Sequence, residues 1–380
     1  MFERSTIHDI LGDLVVYRNL EPCEARVPGL SKLRARLGLE SGRIPRKAEP
    51  EYAAVVVQIL CAAQALRLPG RPLERLLYLG DTLMNDRGAI SNLRAHFPTL
   101  GFIGCDEAGA PRRVQTDEGV MTANRWEALM DFVRWVENQG FALDEETAAV
   151  IDLDKTAFGA RGRNDGTIDA ARVEAVRRTA EEVLGGAFDE ATFLPIYNEL
   201  KRPAYHPFTA DNQDYLTYIC LMASASVYPF DQLLDDLAAG RLASFDQFIQ
   251  ACDRKIRQEE GHRLLPVHRE VYGNFCRGDP TPFKSFRYRE YQATVARMDA
   301  LPEETEPAEL FKHEIVLTPE VLDVARLFKE QGMLLFGLTD KPDEASIPRP
   351  ELAAQGYLPL HRVTMKVVGN SIYNDLVHLT

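Results

Sequence analysis

Two kinds of apolar pattern alternate along the chain. From Glu51 to Leu66 apolar residues recur almost all round a 3.6-residue period, which predicts a buried helix ended by the PGRP stretch at Pro69 to Pro72. Short continuous apolar blocks at Leu76 to Leu79, Leu100 to Cys105, Ala148 to Ile151 and Met333 to Leu338 predict buried strands. Weaker strand signals lie at Leu14 to Tyr17 and in RVTMKVVG, and a helix is predicted from about Arg125 to Gln139. The alternation is a β-α-β rhythm, so the expected fold is α/β with a Rossmann-like parallel sheet. Between about Ala170 and Glu330 the pattern becomes amphipathic helix almost throughout, as in DQLLDDLAAGRL and FDQFIQACDRKI. The expected organisation is a discontinuous core, 1–169 plus 331–380, interrupted by an α-helical domain at 170–330. Residues 1 to 46 are assigned no role.

The chemistry stands at the ends of the strands. Asp152-Leu153-Asp154-Lys155-Thr156 directly follows one, which places two carboxylates at the sheet's edge. One can attack phosphorus while the other handles protons. Gly80-Asp81-Thr82-Leu83-Met84-Asn85-Asp86 follows a second strand and supplies the carboxylates that a hard cation such as magnesium prefers. Thr339 follows a third, in FGLTDKP, with a hydroxyl able to donate to a phosphoryl oxygen. Lys47, in RKAEPEY, stands at the start of the first helix, where an ammonium and a helix N-terminus both favour an anion.

Composition narrows the partners. The 380 residues carry a formal net charge of -13, which disfavours nucleic acid and anionic membrane surfaces. Six scattered cysteines form no C-x-x-C pair, so zinc and redox chemistry are not expected. The charged start MFERSTIHDILGD does not read as a signal peptide, and YAAVVVQILCAAQAL is too short to span a bilayer. A cytoplasmic protein is expected.

Together these segments resemble the haloacid dehalogenase superfamily, whose members mostly transfer phosphoryl groups through an aspartyl-phosphate. The resemblance implies Asp152 as nucleophile and Asp154 as general acid/base in VIDLDKT, Thr339 binding the phosphoryl group, and Lys47 neutralising it. In LLYLGDTLMND it implies Asp81 on magnesium and Asp86 supporting the metal directly or through water. Asp152 and the Asp154 backbone carbonyl would complete the ligands. FGARGRNDGTID resembles the loop-and-hairpin element that precedes the superfamily's usual cap insertion, and the helical stretch falls where a cap belongs. In the family the four motifs run first to fourth, whereas here the third and fourth precede the first. The fold expected from the resemblance is therefore a circularly permuted core with a cap domain.

KVVGNSIYND imitates LYLGDTLMND and would restore the ordinary order with Lys366 and Asn370 in the lysine and metal positions. Asn370 is a poorer magnesium ligand than a carboxylate, and the segment follows Thr339 too closely for an intervening strand and helix. Within the helical stretch, Lys284, Arg287 and Arg289 of TPFKSFRYREY are candidate contacts for the remote part of the substrate. The expected function is a magnesium-dependent phosphatase or phosphotransferase acting on a small phosphorylated metabolite. The alternatives are a phosphomutase using the same residues, or a catalytically silent binding module; carbon–halogen hydrolysis would need neither the magnesium site nor Asp154.

Overall fold

The computed structural model describes residues 1–40, 42–210, 212–258 and 262–378. Its Cα packing separates two units: Met1–Ala171 with Thr294–Thr380, and Arg172–Ala293. The second boundary differs from the expected 330, because the helices Pro307–His313 and Pro319–Glu330 belong to the sheet-containing unit. Their amphipathic pattern matches that of the helical stretch, so periodicity alone carries no boundary there.

Nine strands are present among the described residues: β1 (Arg4–Ser5), β2 (Val15–Val16), β3 (Arg75–Gly80), β4 (Thr99–Gly104), β5 (Val114–Asp117), β6 (Val120–Ala123), β7 (Thr147–Asp152), β8 (Leu334–Leu338) and β9 (Met365–Lys366). Seven of them form a mixed sheet of order β2-β8-β7-β3-β4-β6-β5, parallel except for β5. The fold class is thus α/β with a mostly parallel sheet. Strands β3, β7 and β8 are buried along nearly their whole length, which explains their unbroken apolar reading. The Pro50–Arg67 helix begins with proline at its first position and lays Tyr52, Val56 and Ile59 in the same core as Tyr78, Val150 and Phe336.

The β5–β6 hairpin is absent from the sequence reading, because β5 is mostly exposed and carries no apolar block. The RVTMKVVG signal becomes the two-residue β9, which pairs antiparallel with β1 outside the main sheet. FGARGRNDGTID contains no named hairpin; its loop is tied by isolated bridges, Asp154 to Phe158 and Phe158 to Leu317, before the Asp165–Leu184 helix begins.

The helical unit has its own core, with Tyr218, Ile219, Phe245, Phe248 and Ile249 fully buried among its helices. No described helix is long and apolar enough to cross a membrane.

Candidate active site

The register of the central strands brings the sequence candidates together. Leu79 of β3 stands beside Ile151 of β7, and Asp152 at the end of β7 stands beside Leu338 of β8. One residue beyond β3 is Asp81 and one beyond β8 is Thr339, so both emerge at the same sheet edge as Asp152. The edge is the carboxyl end of the parallel strands, where open α/β sheets bind ligands.

Lys47 reaches this edge from the segment preceding the Pro50–Arg67 helix. Its ammonium is 2.5 Å from Asp152 Oδ1 and 3.0 Å from Asp86 Oδ1, although the residues lie 105 and 39 positions apart. All three are buried, with Lys47 4% exposed. Burial alone would lower the lysine pKa, but the charges of Asp152 and Asp86 outweigh it and hold the ammonium well above its ordinary range. Asp152 Oδ2 accepts a hydrogen bond from the Thr156 hydroxyl at 3.2 Å. Burial pushes the Asp152 carboxyl up against the pull of Lys47, and the charges of Asp86 and Asp81 push it further.

Asp86 stands apart from the other carboxylates. Its Oδ1 accepts from Lys47 and from the Tyr78 hydroxyl at 2.9 Å, and its Oδ2 accepts from the amides of Asp81 and Thr82 and the Thr82 hydroxyl. Burial would raise its pKa, but Lys47 and these hydrogen bonds hold it down at about 2. With five donors on two oxygens, Asp86 is built to shape the β3 turn and anchor Lys47, which leaves it poorly placed as a direct metal ligand.

Asp81 has the opposite surroundings. Its carboxylate is paired with the Arg161 guanidinium, and burial lifts its pKa to about 6, with Arg161 opposing and Asp86 adding to the rise. Asp154 Oδ1 is buried without a hydrogen-bond partner and faces Lys341 Nζ at 3.7 Å. Thr339 accepts from the Lys341 amide at 3.2 Å, and its hydroxyl proton meets no acceptor among the described residues.

Lys366 has a different place. Its ammonium is spent on Glu314 at 2.8 and 3.0 Å, on the Leu301 carbonyl at 2.7 Å and on Asp299 at 3.2 Å. The lysine that reaches Asp152 is Lys47, while Lys366 is committed to Glu314, Leu301 and Asp299.

Compared with known proteins, the chain matches no family model, and no curated protein and no solved structure matches it significantly. The site's own geometry has to carry the functional reading.

Among the described residues no three His, Cys, Asp or Glu side chains form a ready metal cluster. Magnesium does not require one, since it commonly binds one or two protein carboxylates and keeps several waters. Asp81 and Asp152 fit that donor set: both are buried carboxylates, Asp81 is raised by burial and by the charge of Asp86, and Asp152 is raised by burial and by the charges of Asp86 and Asp81, a condition that a nearby cation relieves.

The proposed substrate cations of the helical unit are engaged inside it. Arg287 is buried between Asp214, at 2.6 Å, and Glu290, at 2.6 Å; Lys284 pairs with Asp279 at 2.9 Å, and Arg289 with Glu182. For Arg287 this corrects the expectation: a guanidinium held by two buried carboxylates organises the unit's interior and has little left for a ligand.

Arg161, Tyr78, Thr156 and Lys341 escaped the sequence reading. Tyr78 could have been found by parity, standing two residues before Gly80 on a buried strand. Arg161 lies in a loop without periodicity, and nothing in its neighbours' identities points to Asp81.

Proposed function

We propose that the chain is a magnesium-dependent phosphoryl-transfer enzyme of the haloacid dehalogenase type in permuted order, acting on a small phosphorylated molecule as a phosphatase. The observation that carries this reading is the Lys47–Asp152 contact of 2.5 Å at a sheet edge shared with Asp81 and Thr339. A buried carboxylate beside a lysine, an unspent threonine proton and a second acid two residues along is the set an in-line attack on phosphorus requires.

In this reading Asp152 attacks phosphorus through one carboxylate oxygen and Lys47 balances the charge that gathers on the phosphoryl oxygens. Thr339 donates its hydroxyl proton to one of those oxygens. Asp154 gives a proton to the departing alcohol and later takes one from the water that cleaves the acyl phosphate. Magnesium, when held by Asp81, Asp152 and the Asp154 backbone carbonyl, would supply charge neutralisation for the transferring group. Asp86 keeps Lys47 and the β3 turn in position.

The reading is tested by incubating the protein with a panel of phosphorylated metabolites and an aryl phosphate, with magnesium or with a chelator. Phosphate release that requires magnesium supports it; background rates on every ester from a folded sample favour a silent binding module. Transfer of phosphate between positions of one sugar, without release to water, would favour a phosphomutase.

A further inference from the structure

We infer that Arg161 is an internal counter-cation that competes with the divalent cation for Asp81, so that the site opens to metal only when this side chain swings away. The inference rests on the phosphoryl-transfer reading of the same site.

Three observations support it. First, Arg161 is paired through Nε with Asp81 Oδ2, on the carboxylate that the metal reading needs. Second, the Arg161 backbone is fixed independently of that contact. Its amide donates to the Lys155 carbonyl at 2.9 Å, and its carbonyl accepts from the Asp106 amide at 2.9 Å and the Trp126 indole at 3.2 Å. The adjoining Gly162 sits at φ +78 directly over the Asp106 carbonyl, where a Cβ would collide, and Arg163 is clamped by Asp106 at 2.6 Å and by Glu320 at 2.8 Å. Third, the side chain itself is about one-third exposed, and its two terminal nitrogens make no hydrogen bond among the described residues, with Asp165 and Asp169 acting on it only through their charge. A pinned backbone carrying a loosely held guanidinium can lose its one ion pair by rotation about side-chain bonds, without remodelling the loop.

The electrostatic logic is that of two cations and one carboxylate. Asp81 and Arg161 are 6% and 34% exposed at the side chain, so the acid is desolvated while the base keeps a route to water. Without a cation Arg161 limits the cost of burying Asp81; once a divalent ion binds, the guanidinium is repelled by like charge and returns to solvent. The contact thereby raises the magnesium concentration at which the site fills, and it gives the empty site a neutralised resting state.

The test measures magnesium binding by calorimetry and by thermal shift at constant chloride, for the full chain and for Arg161→Gln, Arg161→Lys and Asp81→Asn. Removing the competitor should lower the magnesium midpoint by up to about fivefold in Arg161→Gln, the range expected for a partly exposed charge pair. Arg161→Lys, which keeps the charge on a different geometry, should fall between. Asp81→Asn should bind weakly whatever stands at 161. An unchanged or raised midpoint in Arg161→Gln, with a normal response in the parent, overturns the counter-cation role alone. No response to magnesium in either protein overturns it together with the metal reading.

Discussion

Lys47 shows how much of this site one side chain holds. It is a single ammonium against Asp152 and Asp86, with Asp81 close enough to push the Asp152 carboxyl upward. The two supporting acids differ in sign of effect. Asp86, held at about 2, contributes stability that is present above its ordinary value of 3.8 and is lost as pH falls toward 2. Asp81, lifted to about 6, contributes stability that is present below 3.8 and is lost as pH rises through 6. In chelator, urea unfolding should therefore show Asp81→Asn gaining on the parent as pH rises from 4 to 7, by up to ~3 kcal/mol, on top of a pH-independent loss from the missing Arg161 pair. Magnesium should shrink or reverse that gain by stabilising only the parent. A pH-independent difference would remove Asp81 from the charged cluster.

Strand ends are where the sequence was most and least informative. The apolar blocks behind Asp81, Asp152 and Thr339 became β3, β7 and β8 within one or two residues, since strands buried on both faces must be apolar throughout. What supports the site came from loops and from distant chain segments: Arg161 from a bridge-tied turn, and Lys341 beside a Thr339 already singled out. Such contacts follow from tertiary approach, which no local period encodes. The end of β3 offers a test at this scale. A Cβ on Gly80 would meet the Asp86 carboxylate at 2.6 Å, so Gly80→Ala has to displace the acid that anchors Lys47. We expect about 1–3 kcal/mol of destabilisation by urea unfolding together with loss of phosphate release. A variant with parental stability and turnover would show that the Asp86 anchor is dispensable.

Taken whole, the sheet-containing unit draws on both ends of the chain. β1 pairs with β9 through Arg4 with Lys366 and Ser5 with Met365, so segments near the two ends lie side by side. Under the proposed permuted reading, the motif order is a matter of where the chain is cut. Joining the ends by a short flexible linker and opening the chain after Gly140, which lies at φ +76 with open space around it, restores the order Asp152, Thr339, Lys47, Asp81. This permutant should fold with a cooperative transition close to the parent's and keep its magnesium response. An unfolded product, with the same linker tolerated in a chain left uncut at 140, would mean that the present order is required for folding.

The helical unit was legible as a run of amphipathic helices, and its start was placed within a few residues. Its end was not, because the Pro319–Glu330 helix before β8 has the same periodicity while packing with the sheet. The basic residues of that unit were legible as charges only; Asp214 and Glu290, which hold Arg287, are separated from it by 73 and three positions.

Covalent capture of phosphate on Asp152 tests the central claim most directly. The protein is mixed with an aryl phosphate and magnesium, quenched in acid within one turnover, and the mass of its peptides is measured alongside phenol release. We expect one phosphoryl group on the peptide bearing Asp152, with matching phenol release. Neither should occur in Asp152→Asn, since an amide is a poor nucleophile, and in Asp154→Asn the adduct should form and persist because its hydrolysis lacks a base. A burst of phenol from Asp152→Asn, or phosphate carried on any other residue, would contradict the assignment.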